Sequence, residues 1–147
     1  YDSALLYGLE AGKYRLALKT PKDQIINVEY TRDKSKKKAA YKKSKAINLK
    51  SDIDSIYTST EKAARWYKAS VSSTKKRKAV TLSKDSVGGG FKFCVYQKGK
   101  RLKTVKVTKN DKVKTVKLPK KKGAYYVKVT KLTSKTTGAY YLGTYTY

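Results

Sequence analysis

The chain has no histidine, no methionine and a single cysteine, Cys94. These absences exclude several chemistries at once. One thiol forms no internal disulfide. Without histidine, a Cys/His metal centre has too few ligands, and a nucleophile has no imidazole to take its proton. Cys94 lies in the apolar run Phe91-Lys92-Phe93-Cys94-Val95-Tyr96 and reads as a packed, inert thiol. Acids are scarce too: 10 Asp and Glu stand against 37 Lys and Arg, for a net charge of +27 at pH 7. A glycosidase-type carboxylate pair must converge in a cleft. The closest pair, Asp52 and Asp54, shares one face of a strand, where a structural or turn role is far more common. Serine and lysine are so abundant that a Ser–Lys pairing singles out nothing. The chain is therefore read as a non-enzyme, with no cofactor. No apolar run is long enough for a transmembrane helix. The sequence opens at Tyr1 and reads as a mature or excised piece, so the lack of a visible signal peptide carries no weight.

What is present is tyrosine, lysine and alternation. There are 14 Tyr against 2 Phe and 1 Trp, in a chain that is only 39% hydrophobic. Tyrosine buries a ring and keeps a polar tip, which suits half-buried strands and contact surfaces. A length of 147 residues suits one domain with a lean core. The basic residues are nearly all lysine, with arginine only at 15, 32, 65, 77 and 101. Arginine reads phosphates and bases with a bidentate fork, whereas lysine is a point charge. The charge thus points to diffuse attraction of polyanions, or to solubility, more than to a nucleic-acid code.

The most legible stretch is Gly123 to Tyr147, where Gly-Ala-Tyr-Tyr opens at Gly123 and again at Gly138. Tyr125, Val127 and Val129 share one face, as do Tyr140 and Leu142, with the polar run Ser134–Thr137 between them. This reads as a β-hairpin. The same glycine-x-tyrosine opening occurs at Gly12, ahead of Tyr14, Leu16 and Leu18, and Ile25–Tyr30 reads as another strand. Residues 31–46 fit a short basic helix or a surface loop equally well. From Arg65 onward, short strands recur: Tyr67/Ala69/Val71 inward, then Val80 and Leu82, then Phe91/Phe93/Val95, a Lys98-Gly99-Lys100 turn into Leu102–Thr108, and Val113–Leu118. The spacing predicts an all-β chain.

Several of these segments resemble bacterial pre-peptidase C-terminal domains. Leu118 to Val129, followed by Gly138-Ala139-Tyr140-Tyr141-Leu142, is similar to the closing strands of that family. Arg65-Trp66-Tyr67-Lys68-Ala69-Ser70-Val71 resembles its Asp-Trp-Tyr strand, and Ala46 to Ile53 its opening segment. Arg65 stands where the family usually has Asp, and Ala69 where it usually has Phe. The resemblance covers about residues 30–147 and implies a jelly-roll-like antiparallel β-sandwich from a secreted bacterial protein. Residues 1–29 fall outside it and read as extra strands or the tail of a preceding repeat. The resemblance also implies a calcium segment, for which Glu29 and Asp33 are the weak candidates; a surface charge pairing with lysine is the commoner role for Glu29.

On this reading the chain is a non-catalytic extracellular binding or adhesion module of a bacterial secreted or cell-surface protein, of Gram-positive type. Its expected partner is an anionic cell-wall polymer, a glycan or an extracellular matrix protein, and it is expected to be monomeric or part of a multidomain chain. A polyanion or nucleic-acid binder and a structural spacer in a repeat array are the alternatives. Candidate ligand-binding residues are Trp66, the outward tyrosines Tyr126, Tyr141, Tyr145 and Tyr147, and the basic turn Lys75-Lys76-Arg77. If the last two strands are adjacent, the outward tyrosines form one stripe, unless residues 1–29 cover it. The basic clusters at 36–38, 75–78 and 120–122 look scattered over separate turns, which reads against a nucleic-acid track.

Overall fold

The computed structural model describes residues 8–20, 22–28, 38–50, 52–58 and 60–147. Among the described residues nine strands form a jelly-roll-like β-sandwich. They are β1 (Ile47–Asn48), β2 (Ile53–Tyr57), β3 (Arg65–Val71), β4 (Lys78–Gly88), β5 (Phe91–Gln97), β6 (Lys100–Val107), β7 (Val113–Lys117), β8 (Gly123–Lys131) and β9 (Thr137–Thr146). One sheet has the order β1-β3-β8-β5-β6 and the other β2-β9-β4-β7. Every pairing is antiparallel except the short one between β1 and β3. Only a short 3-10 turn, Lys43–Lys45, lies in the described part of the basic segment 31–46.

Alternation builds the core. Tyr67, Phe91, Phe93, Tyr125, Val127 and Val129 face inward from the first sheet, and Tyr57, Val80, Leu82, Tyr140 and Leu142 from the second. With so little Leu and Ile available, tyrosine fills the volume that aliphatics usually fill. A buried phenol must keep a hydrogen-bond partner, and each of these does. Tyr67 and Tyr140 share a hydrogen bond at 2.5 Å, and Tyr67 shares another with Ser55 Oγ at 3.0 Å. Tyr57 donates to the carbonyls of Ala63 and Val129, and Tyr125 to that of Lys121. Burial, with Tyr67 close by, holds the Tyr140 phenol well above its usual pKa.

Three sequence expectations are corrected. Gly123–Tyr147 is not a hairpin, because β8 and β9 lie in opposite sheets. The chain arches between the layers through residues 132–136, held by Thr136, whose buried hydroxyl accepts from the amides of Gly90 and Thr133. The strand at Val80–Leu82 is not short but runs from Lys78 on to Gly88. Finally, neither the Tyr14–Leu18 stretch nor the described part of Ile25–Tyr30 forms a strand. The Lys98-Gly99 turn, by contrast, is as read: both residues have positive φ, 47° and 78°, which closes the β5–β6 hairpin.

Candidate functional site: a basic pole beside exposed tyrosines

Strand direction decides where the turns go. The antiparallel registers bring the C-terminal ends of β3, β5, β7 and β9 to the same end of the sandwich as the N-terminal ends of β4, β6 and β8. The β3–β4 turn carries Lys75, Lys76 and Arg77, the β5–β6 turn Lys98 and Lys100, and the β7–β8 turn Lys120, Lys121 and Lys122; all are exposed. None of these turns contains an Asp or Glu. Backbone bonds tie the pole together: Leu118 N–H donates to Lys78 O at 2.8 Å, and Arg77 and Tyr147 exchange N–H···O bonds at 3.0 and 2.9 Å. The clusters at 75–78 and 120–122, which look scattered in sequence, are therefore gathered at one end together with the β5–β6 turn; the cluster at 36–38 lies, but for Lys38, outside the described residues. The acids Glu10, Glu61, Asp85 and Asp111 lie toward the other end, where Glu61 pairs with Arg65 and Asp111 with Lys114.

Tyr145 and Tyr147 lean against each other at this pole, with ring centroids 5.6 Å apart, and Lys117 Nζ stands 5.5 Å from the Tyr147 centroid. From there an outer face extends up the second sheet. Tyr141, Tyr145 and Tyr147 line one side, each nearly half exposed. Beside them β4 carries the small residues Ala79, Thr81 and Ser83, of which Ala79 is fully buried and the other two are half-buried, and β7 bounds the far side with Val113, Thr115 and Lys117. Between Tyr141 and Tyr145 stands Gly143. A Cβ there would fall 1.8 Å from Asp52 Oδ1, so the glycine makes room for a carboxylate within the aromatic row.

The candidate residues thus divide. Tyr145, Tyr147, Lys75, Lys76 and Arg77 come together, with Tyr141 along the same face. Trp66 and Tyr126 lie on the opposite outer face of the sandwich, so the single tyrosine stripe is a misreading that followed from the hairpin. Trp66 is half-buried there against Tyr96, with centroids 5.6 Å apart, and Lys128 Nζ sits 5.5 Å from its ring; Lys43 Nζ lies 4.6 Å from the Tyr126 ring. The protein's own lysines already stand over both rings. Residues 8–20 and 22–28 do not cover Tyr141, Tyr145 or Tyr147. Glu29 and Asp33 lie outside the described residues, and among the described ones no group of three or more His, Cys, Asp or Glu is placed to hold a metal. Cys94 is buried and 3.4 Å from Thr104 Oγ1. Lys117, Asp52 and the small-residue floor on β4 escape sequence reading, because only the strand order puts β4 between β7 and β9.

No helix of the described residues is long and apolar enough to cross a membrane. No family model matches the chain, and no curated protein does. Among solved structures it is similar to the pre-peptidase C-terminal domain of collagenase from Bacillus anthracis, with 18% sequence identity over 68% of this chain and 92% of that one, at a TM-score of 0.49.

Proposed function

We propose that the chain is a non-catalytic binding module of a bacterial secreted or cell-surface protein, and that its basic pole docks a linear anionic polymer of the cell wall or an anionic glycan. The observation that supports this most is the convergence of three acid-free lysine turns beside Tyr145 and Tyr147. Clustered lysines gain affinity by releasing the polymer's counterions, and exposed tyrosine rings add flat contact area for sugar units. Lysine-rich point charges suit a flexible polymer with irregular charge spacing better than they suit base reading. The net charge of +27 favours a monomer.

The same pole favours a second reading, a single-strand nucleic-acid binder, since such proteins also combine basic tracks with stacking aromatics. Retention on immobilised anionic wall polymer and on single-stranded DNA, each at two salt concentrations, separates the two. Changing Lys120, Lys121 and Lys122 to Glu should lower wall-polymer retention strongly and flatten its salt dependence by about two to three contacts. Changing Lys109, Lys112 and Lys135 to Glu, at the opposite end, alters net charge equally and should do much less. Equal losses from both triple variants would refute the pole as the site. Retention on DNA alone would refute the ligand, and retention on neither would leave a structural spacer.

A further inference from the structure

We propose that residues 12–28 are the closing strands of another sandwich of this kind, which precedes this one in the same polypeptide. The inference starts from a register match. Gly12, Tyr14, Leu16 and Leu18 correspond position by position to Gly123, Tyr125, Val127 and Val129 of β8. In β8 the three apolar residues are fully buried against the opposing sheet, whereas Tyr14, Leu16 and Leu18 are 57%, 59% and 53% exposed. Further along, Ile26 and Val28 alternate as Tyr140 and Leu142 do in β9, twelve positions after Tyr14 where Tyr140 comes fifteen after Tyr125. They too are exposed, at 42% and 60%. A two-strand apolar pattern with an aromatic-led face is a sequence built for a core, and in this sandwich it meets none.

The places it fits are already filled here. β8 lies between β3 and β5, and β9 between β2 and β4, each paired on both sides. A second copy of this chain presents the same filled positions and repels through its charge of +27. The partner that suits is a sandwich whose own last two strands are these residues. The junction also has a defined seat. Thr137 donates to the Gly8 carbonyl at 3.2 Å, Thr60 donates to the Glu10 carboxylate, and a Cβ on Gly8 would fall 2.1 Å from Tyr57 O. These contacts lie at the end of the sandwich opposite the basic pole, so the preceding unit leaves that pole open.

The test reads the gene upstream of Tyr1 and compares the 147-residue chain with the polypeptide encoded there; an upstream sequence without a further sandwich would overturn the proposal. Hydrogen exchange at the amides of Tyr14–Leu18 and trypsin cleavage after Arg15 and Lys19 are measured in both. The expected result is fast exchange and cleavage in the short chain and at least ~10-fold slower rates in the long one, as for strands inside a cooperative unit. Leu16→Asp should abolish that protection in the long chain while leaving a protease-resistant fragment over residues 38–147 in both. Equal rates in the two chains would overturn the proposal. So would a dimer of the 147-residue chain in light scattering that Leu16→Asp dissolves, because the occupant would then be a second copy.

Discussion

Replacing Arg65 with methionine tests how this sandwich tolerates a charge at the rim of its core. Arg65 is 8% exposed. Its guanidinium donates to both carboxylate oxygens of Glu61 at 2.7 Å and to Ile56 O at 2.5 Å, and it lies 4.3 Å from the Tyr57 ring centroid. Methionine keeps the aliphatic volume and removes every one of these contacts. It leaves the Glu61 carboxylate, only 10% exposed, without its cation. Breaking one side of such a pair costs about 3–5 kcal/mol, which for a chain of this size lowers Tm by roughly 10 °C. Glu61→Gln keeps one charge-assisted hydrogen bond, from the Arg65 guanidinium to the amide oxygen, and should cost less, about 1.5–3 kcal/mol. Once the arginine is gone, the neutral amide that Glu61→Gln introduces is no longer a stranded charge. The double variant should therefore be at least ~1.5 kcal/mol more stable than the sum of the single losses predicts. Urea unfolding followed by Trp66 fluorescence reads all four proteins, since the only tryptophan is half-buried beside Tyr96 and reports the fold. A loss below about 1 kcal/mol for Arg65→Met, or additivity within about 0.5 kcal/mol, would refute the buried-pair account.

Two further outcomes are expected. Gly143→Ala drives a methyl against the carboxylate of Asp52, an exposed side chain that can turn aside, and should cost less than about 1 kcal/mol; a urea midpoint that reports a loss above about 2 kcal/mol, not recovered in the Gly143→Ala/Asp52→Ala double variant, would refute this. Lys114, with the hydroxyl and amide of Thr108, holds the Asp111 carboxyl well below its usual range. Its folded pKa is depressed, so its contribution is full above the unfolded value near pH 4 and is lost as pH falls below it. The Tm gap between wild type and Asp111→Asn should be open at pH 7 and narrow below about pH 4; a gap that stays constant from about pH 7 to about pH 2 would contradict this.

Which face of a strand turns inward was readable from the sequence, because the side-chain period of two survives in any sheet. Tyr67, Phe93, Val127 and Leu142 are all buried where alternation puts them. Which strand lies beside which was not readable, because that same period carries no information about neighbours. Hence β8 and β9 look like a hairpin when they are facing layers, and the basic clusters at 75–78 and 120–122 look dispersed when they share a pole. Arg65 is visible in the sequence only as a departure from a family pattern, although it is a nearly buried cation with three kinds of partner. Tyr14 to Leu18 shows the converse failure, since the pattern is sound and the surface it needs is missing.

The pairing order also sets how the domain carries load. Toward the N-terminus the fold is held by β1, a two-residue strand on the margin of its sheet with β3 as its one neighbour among the described strands. At the other extreme β9 runs between β2 and β4, paired with β4 from Thr137 to Thr146 and with β2 from Gly138 to Leu142. A pull on the chain would peel β1 away one bond at a time, but could move β9 only by shearing two ladders together. A module tethered through both ends therefore yields first at its N-terminal side, and a ligand seated beside Tyr145 and Tyr147 rides on the long β4–β9 ladder, which has to shear before β9 moves.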